Sequence, residues 1–333
     1  MLITEPSYYR QFRCIAGDCP DSCCKEWEVR VDAETAAHYR ALPDDLGERL
    51  RQVLVDEVDG SAFMTITEGR CPMWRHDGLC RIQAQLGEEA LCQVCRDFPR
   101  LRHDYGDFVE LGLELSCPEA ARLILSSTPD SPVRYEQPGG ETEYDTEAME
   151  VLLRTRPQAL SILEDHRFTV KESLALLLLY GYQAQSELDG SEPQPWDPQT
   201  ALDEILRFAK PGDYPEIINF FKDLEVLTSD WPARLASPAP GLWTDTYRAL
   251  GRYFVERYWL QAVSDYDLVS RVKFAVIACL LIRHLGGDLL RTAQLFSKEI
   301  ENNLDNIEAI LDAAYCHPAF TDEKLLGLLL DRI

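Results

Sequence analysis

The hydrophobic positions in the second half of the chain repeat with the period of a helix. From residue 146 onward, Leu, Ala and Ile recur at spacings of three and four residues, which places them on one helical face. Loops rich in Pro, Ser and Asp interrupt this pattern at 185–197 and 230–242. The pattern predicts helices at 146–154, 157–164, 169–184, 198–210, 214–227, 243–263, 266–286, 288–314 with an internal break, and 321–332.

The first part of the chain has a less regular pattern. Apolar and polar residues alternate at 27–31, which predicts a short strand, and Asp32 is placed to cap a helix that runs to about residue 40. Pro118 opens a second helical pattern. Further pieces are predicted at 62–67 (strand), 83–86 and 88–96 (helix) and 108–115 (strand or helix).

A stretch rich in Pro, Gly and Thr separates these two parts. Residues 128–145 contain the turn-forming residues of a linker or a long surface loop. The sequence therefore predicts a mainly α-helical protein in two domains. An irregular, cysteine-rich N-terminal domain with a few short strands is predicted at 1–127, and a helical domain at 146–333.

The charge balance disfavours several classes of partner. The 333 residues include 57 Asp and Glu against 33 Lys and Arg, a formal net charge of −24. Because phosphate contacts need a basic surface, we expect neither a nucleic-acid partner nor a membrane partner. The longest apolar stretches, 174–180 and 274–282, fall well short of the roughly 20 residues of a membrane span. The sequence begins without the pattern of a secretory signal, so we expect a cytoplasmic protein.

The cysteines are concentrated in the first third of the chain. Nine of the 11 lie within the first 117 residues, whereas cysteines that act as small core side chains would be scattered. In a reducing compartment such clusters bind metal more often than they form disulfides. Buried, reduced thiols are the alternative interpretation. The predicted metal ligands are Cys14, Cys19, Cys23, Cys24, Cys71, Cys80, Cys92, Cys95 and Cys117.

Most of these cysteines fall into two modules. The first module is Cys14-x4-Cys19-Pro-x2-Cys23-Cys24, and the second is Cys71-x8-Cys80-x11-Cys92-x2-Cys95. Short loops rich in Gly and Pro can aim several thiolates at one centre. Four thiolates suffice for one zinc ion or one [4Fe–4S] cluster, so nine cysteines leave open whether there are one or two centres.

The spacing favours an iron–sulfur cluster over zinc. Structural zinc modules usually carry two Cys-x2–4-Cys knuckles, and only Cys92 and Cys95 form a clean one. Arginines surround the second module, where they would either offset the negative charge of a four-thiolate cluster or form surface ion pairs. We therefore expect a [4Fe–4S] cluster, with zinc as the alternative. These arginines are Arg70, Arg75, Arg81, Arg96, Arg100 and Arg102.

Packing accounts for most of the other candidate side chains. We expect Trp27 to pack over the metal loop, and the aromatic residues of the predicted helix at 243–263 to belong to the core. His76 and His103 lie close to cysteines in the sequence, but surface positions are expected for both. The sequence contains neither a Gly-rich nucleotide loop nor a Cys-x3-Cys-x2-Cys run. Cys279 and Cys316 are isolated, and we do not expect them to bind metal.

Three stretches resemble the flagellin lysine-N-methylase (FliB) family. They are 14–32 (Cys-x4-Cys-Pro-Asp-Ser-Cys-Cys-x2-Trp-x-Val-x-Val-Asp), 71–100 (ending in Cys-Gln-x-Cys-Arg-x-Phe-Pro-Arg) and 115–123 (Leu-Ser-Cys-Pro-Glu-Ala-Ala-Arg-Leu). The cysteine-rich segment also resembles the YkgJ-type zinc- or iron-chelating domain. The likeness over the helical remainder is looser, and 296–303 departs from the Glu-His-Ser-type stretch expected there.

The resemblance implies methyl transfer from S-adenosylmethionine to lysine ε-amines of flagellin, by an enzyme that carries an iron–sulfur cluster. The lysine must first lose a proton, which a carboxylate, Tyr or His could accept. The sequence assigns no catalytic or cofactor-binding residue, and the boundary between the cysteine-rich domain and the helices is a candidate cofactor site. The alternative function is a non-catalytic zinc- or iron-binding accessory or redox module, with the helices as a partner-binding platform.

Overall fold

Short strands and helices alternate through the first 136 residues. The computed structural model describes residues 1–25, 27, 29–129 and 131–331. The predicted cap is confirmed, since the Asp32 carboxylate accepts a hydrogen bond from the Thr35 amide at 2.9 Å. The elements are β1 (Leu2–Glu5), β2 (Val29–Val31), α1 (Ala33–Ala41), α2 (Asp45–Val53), β3 (Leu54–Asp56), β4 (Ala62–Met64), α3 (Arg81–Leu86), α4 (Gln93–Asp97), β5 (Arg100–Asp104), β6 (Phe108–Leu113), α5 (Pro118–Ser126) and β7 (Val133–Glu136).

Helices fill the remainder of the described chain. The mainly helical fold with a strand-containing N-terminal region is confirmed. The helices are α6 (Thr146–Glu164), α7 (Val170–Leu188), α8 (Pro198–Phe208), α9 (Tyr214–Lys222), α10 (Asp230–Ala236), α11 (Thr246–Tyr258), α12 (Leu268–Leu285), α13 (Leu289–Phe296), α14 (Leu304–Cys316) and α15 (Asp322–Leu329).

Three local predictions are wrong. The helices predicted at 146–154 and 157–164 form one helix, α6, because buried residues on both sides of Pro157 hold it together despite the missing amide. The segment predicted as a loop at 230–242 contains α10, whose Trp231 is fully buried. The predicted linker at 128–145 contains β7, which pairs with β1. Long-range packing decides all three.

Two small sheets organise the N-terminal region. The larger has the strand order β5-β6-β1-β7, with β1 parallel to β6 (Ile3 opposite Val109) and antiparallel to β7 (Ile3 opposite Tyr135). The smaller has the order β2-β4-β3, with Met64 of β4 between Val29 and Leu54. The smaller sheet supports the cysteine modules.

The described residues form two hydrophobic cores. The larger core contains Tyr8, Phe12 and residues from Leu113 onward, and α12 lies at its centre, buried along nearly its whole length. The smaller core is built from β2, α1, α2, β4 and the second cysteine module. Cys117 belongs to the larger core and Cys71 to the smaller one. The proposed division at 1–127 and 146–333 stays a prediction.

Some predictions extend beyond the described positions. Residues 26, 28, 130, 332 and 333 lie outside the described residues, so the strand at 27–31, the linker at 128–145 and the last helix are described only in part. Among the helices that are described, none combines the length and the apolar character that a membrane crossing requires.

Candidate metal centre

Backbone pairing brings the two cysteine modules together. The Cys71 amide donates a 2.8 Å hydrogen bond to the Cys24 carbonyl, and Lys25 and Arg70 form an isolated antiparallel bridge beside it. Within the second module, Trp74 and Cys80 form another bridge. About 50 residues separate the modules in the sequence, so only this tertiary pairing places their thiols side by side.

Six thiols gather at the smaller core, and we refer to them as the thiol cluster: Cys23, Cys24, Cys71, Cys80, Cys92 and Cys95. The Cys92 and Cys95 thiols share a hydrogen bond, as do those of Cys23 and Cys24. Cys95 lies close enough to Cys23 and Cys24 of the first module for their charges to contribute to its raised pKa. All 11 cysteines of the chain are free thiols.

The other three predicted ligands lie on the far side of Cys23. Cys117 is the N-cap residue of α5, and the thiols that influence it are Cys19 and Cys23. Burial raises the pKa of Cys19, and the neighbouring thiols of Cys14 and Cys23 add to this shift. Cys23 is thus the member of the thiol cluster that neighbours this second group of cysteines.

Several of the predicted ligand thiols have raised pKa values, which favours their protonated form. Burial raises the pKa of Cys71 to about 11 and that of Cys117 to about 12, although nearby backbone amides oppose the shift. Cys92 differs, because the hydrogen bond from Cys95 lowers its pKa. A bound cation would have to displace protons from most of these sulfurs.

The sulfur donors of the thiol cluster suit a soft metal, although the thiols are not arranged in a metal-binding geometry. Among the described residues, no group of three or more His, Cys, Asp or Glu side chains is arranged as a metal-binding set. The thiol cluster nevertheless supplies only sulfur donors, the chemistry that zinc and iron–sulfur clusters select. The exposed Cys23 sits in a turn of the first module.

The histidines near the modules do not join the thiols. His103 lies on β5 beside Glu110 and Arg257, and it is half-buried rather than at the exposed surface position that was predicted. Burial, reinforced by the nearby charge of Arg257, lowers the pKa of His103 to about 4. His76 is exposed, as expected, and its ring packs edge-on to Trp74.

Several arginines around the second module are already partnered. Arg75 pairs with Asp77 at 2.5 Å and Arg102 with Asp104 at 2.7 Å, so their charges are balanced locally. Arg70 differs, because its guanidinium lies 3.9 Å from the centroid of the Trp74 ring. Within the described chain, no carboxylate forms an ion pair with Arg70.

Asp21 fastens the first module to the helical part. Its carboxylate accepts hydrogen bonds from Gln294 at 2.8 Å and Lys298 at 3.0 Å and pairs with Lys25 at 2.7 Å. Gln294 also donates to the Ser116 carbonyl at 2.9 Å. Burial acts to raise the pKa of Asp21, but these donors outweigh it and lower the pKa below its usual value. The cysteine loop therefore has a fixed position against α13.

A π-helix follows α13 at Ser297–Glu301, within the stretch 288–314 for which a break was predicted without a position. Its extra residue turns the buried Glu299 toward the 227–228 segment, where the carboxylate accepts hydrogen bonds from the amides of Leu227 (2.9 Å) and Thr228 (2.5 Å). Such local π-helical turns are frequent at functional sites. Sequence analysis missed Glu299, and the departure from the expected family pattern at 296–303 was the available signal.

The same π-helix carries a second buried carboxylate. Glu301 accepts hydrogen bonds from Tyr253 (3.0 Å) and Tyr258 (2.8 Å) and lies 3.3 Å from Arg257. Burial raises the pKa of both tyrosines, and Glu301 raises the pKa of Arg257 against the opposing effect of burial. The aromatic residues of α11 belong to the core, as predicted, but the hydroxyls of Tyr253 and Tyr258 donate hydrogen bonds to the Glu301 carboxylate.

An open cleft adjoins the thiol cluster. Its volume is about 690 Å³, and it lies between the cysteine modules and the segment that Glu299 holds. The cysteine side contributes Lys25, Trp27, Ile66 and 68–70, and the helical side contributes Leu227, Ser229 and Asp230. Trp27 is fixed in place because its indole N–H donates to the Cys23 carbonyl at 2.6 Å.

Comparisons with known proteins point to one group of relatives. The chain is 35% identical over 137 residues to the lysine-N-methylase of Salmonella typhimurium (strain LT2), a match that covers 39% of this chain and 34% of the relative. It is also 35% identical over 137 residues to the flagellar biosynthetic protein FliU of Salmonella muenchen. This match covers 39% of this chain and 80% of the relative. The match thus spans about a third of the lysine-N-methylase. No family model and no solved structure matches the chain.

Proposed function

Because the chain belongs to the FliB family, which includes FliU and the lysine-N-methylases, we propose that it is a lysine N-methyltransferase that modifies flagellin with S-adenosylmethionine. The observation that carries the proposal is the match to proteins of these names, together with the meeting of both cysteine modules in one core. Flagellin as the substrate and S-adenosylmethionine as the methyl donor are part of the proposal.

The metal in this proposal is an iron–sulfur cluster held by the thiol cluster. Four of its six sulfurs would suffice, and Cys71, Cys80, Cys92 and Cys95 already lie within one module. Cys23 and Cys24 would add ligands from the first module, while Cys14, Cys19 and Cys117 stay candidate ligands beside it. When bound, the cluster would replace protons on the thiols and tie the two modules together.

The reaction needs a neutral amine. A lysine ε-ammonium with a pKa near 10.4 must lose a proton before its nitrogen can attack the methyl carbon of a sulfonium. The new N–C bond forms as the C–S bond breaks, and the electron pair of that bond stays on sulfur, which leaves a neutral thioether. In the cleft, the Glu68 carboxylate would attract the cationic lysine and could pass its proton to solvent.

The direct test is methyl transfer by protein that retains its metal. Anaerobically purified chain is incubated with flagellin and methyl-labelled S-adenosylmethionine, and mass spectrometry locates the label. We expect N-methyl-lysine on flagellin and iron and sulfide in about equal amounts in the enzyme. Absence of transfer with fully loaded protein would overturn the proposal and favour a non-catalytic metal-binding module. A colourless protein that contains zinc would overturn the iron–sulfur assignment alone.

A further inference from the structure

The rim of the cleft contains an unusual turn. Thr67 and Arg70 exchange backbone hydrogen bonds of 2.9 and 3.0 Å around Glu68 and Gly69, which have φ values of +51° and +71°. Two left-handed residues in succession form the tight hairpin turn that Asn-Gly usually occupies. Glutamate is a poor choice for this conformation. Strained residues of this kind cluster at active sites and ligand-binding sites.

The charges in the cleft suit a zwitterion. Arg70 on the cysteine side has no ion-pair partner among the described residues, and its guanidinium can bind a carboxylate through two N–H groups. Asp230 on the opposite side is exposed and begins α10, where its carboxylate can accept hydrogen bonds from an ammonium or from hydroxyls. The two groups offer opposite charges from opposite sides.

An aromatic side chain also lines the cleft, on its cysteine side. Trp27 is half-buried, and its hydrogen bond to the Cys23 carbonyl fixes the plane of the ring. A fixed indole can stack on a nucleobase or lie against a sulfonium cation. The opposite side is equally well fixed, because Glu299 binds the amides of Leu227 and Thr228.

The size and the charge of the cleft indicate which of the two reactants, the methyl donor or the target lysine, it would bind. A cleft of about 690 Å³ lies in the range of small-molecule sites, roughly 300–1,000 Å³, and is far larger than one lysine side chain. The cationic Arg70 would repel a lone ammonium but attract the carboxylate of an amino-acid ligand. These features match the methyl donor better than the methyl acceptor.

We propose that this cleft binds S-adenosylmethionine, with Arg70 at the amino-acid carboxylate, Trp27 against the adenosine or sulfonium, and Asp230 at an ammonium or hydroxyl. The inference rests on the proposed methyltransferase function. It places the methyl donor next to Cys24 and Cys71, at the junction of the two modules. The target lysine would enter from the open side of the cleft.

Binding is tested directly on the full chain with its metal. Calorimetric titration with S-adenosylhomocysteine gives Kd for the wild type, Arg70→Gln and Asp230→Asn. Because charge-assisted hydrogen bonds are lost, we expect Kd to rise about tenfold or more for Arg70→Gln and about threefold or more for Asp230→Asn. The matched controls are Arg134→Gln, an exposed residue of β7, and Asp305→Asn, which occupies a comparable first-turn position in α14.

The metal content of each variant is measured, so that loss of the cluster is not mistaken for loss of a contact. Wild-type binding with unchanged Kd values in both cleft variants would overturn the cleft assignment and leave the proposed methyltransferase standing. No binding and no methyl transfer by loaded wild-type protein would overturn both. Photo-crosslinking of labelled S-adenosylmethionine gives a second readout, and label far from the residues that line the cleft, such as label in the helices after residue 246, would contradict the placement.

Discussion

Asp21 in the first cysteine module and Lys298 on the π-helix form an ion pair of 3.0 Å. These residues lie far apart in the sequence, and both side chains are mostly buried, at 18% and 12% exposure for Asp21 and Lys298. Gln294 adds a second hydrogen bond to the same carboxylate. The position of the cysteine loop therefore depends on residues of the helical part.

Asp21→Ala should loosen the first module. The substitution removes the acceptor from Gln294 and Lys298, and we expect a cost on the order of 1–3 kcal/mol, concentrated in local opening rather than global unfolding. Hydrogen exchange should become faster in 14–25 and at the start of the π-helix. Asp18→Ala in the same loop is the control, since Asp18 is exposed. Equal exchange in both variants would show that the ion pair does not hold the loop.

Removal of the proposed metal should unfold the cysteine modules first. The smaller core is modest and is built around the thiols, so bound metal is expected to supply much of its stability. Limited proteolysis after chelation should cut within 14–95 before it cuts the helices after residue 146. Earlier cleavage in the helical part would contradict this order.

Single cysteine substitutions should separate ligands from bystanders. Cys92→Ser should abolish or strongly reduce bound metal, because Cys92 is buried in the thiol cluster and its pKa is already lowered. Cys316→Ser is the matched control, since that thiol is exposed at the end of α14. Metal analysis of both proteins checks this prediction, and equal metal content would exclude Cys92 as a ligand.

His103 should make stability depend on pH below neutrality. Its folded-state pKa of about 4 lies below the ordinary 6.5, so the unfolded chain takes up a proton that the folded chain refuses between these values. The free energy of unfolding should therefore fall as the pH drops from 6.5 to 4, by on the order of 1–3 kcal/mol.

Urea unfolding of the wild type and His103→Gln at pH 7.5 and pH 5 measures this effect. The variant should lose the part of the pH dependence that His103 contributes, whereas His166→Gln, at an exposed position, should retain it. An identical pH dependence in the wild type and in both variants would contradict a buried, neutral His103.

The buried pair Arg257 and Glu301 should be strongly coupled. Glu301→Gln leaves the Arg257 charge without its partner in a site where the Glu301 side chain is 0% exposed. We expect a loss of about 3–5 kcal/mol in unfolding free energy. In a double-mutant cycle, Arg257→Met combined with Glu301→Gln should cost clearly less than the sum of the single changes. Additive effects would show that the two charges act independently.

The sequence by itself determined the local features of this protein. Helical periodicity after residue 146, the Asp32 cap and the helix that Pro118 opens depend on neighbouring residues, so their pattern could be read directly. The clustering of nine cysteines also identified the candidate ligands as a set. No pattern of neighbours could choose among them, because the modules meet through a pairing of residues about 50 positions apart.

Only the tertiary structure decided which distant groups meet. It separated the thiol cluster from Cys14, Cys19 and Cys117, and it added β7 to a sheet whose other strands lie earlier in the chain. It also turned an unremarkable Glu-Ile-Glu stretch into a π-helix whose carboxylates face different partners. Burial and long-range hydrogen bonds set these outcomes, and both depend on residues that the local sequence does not contain.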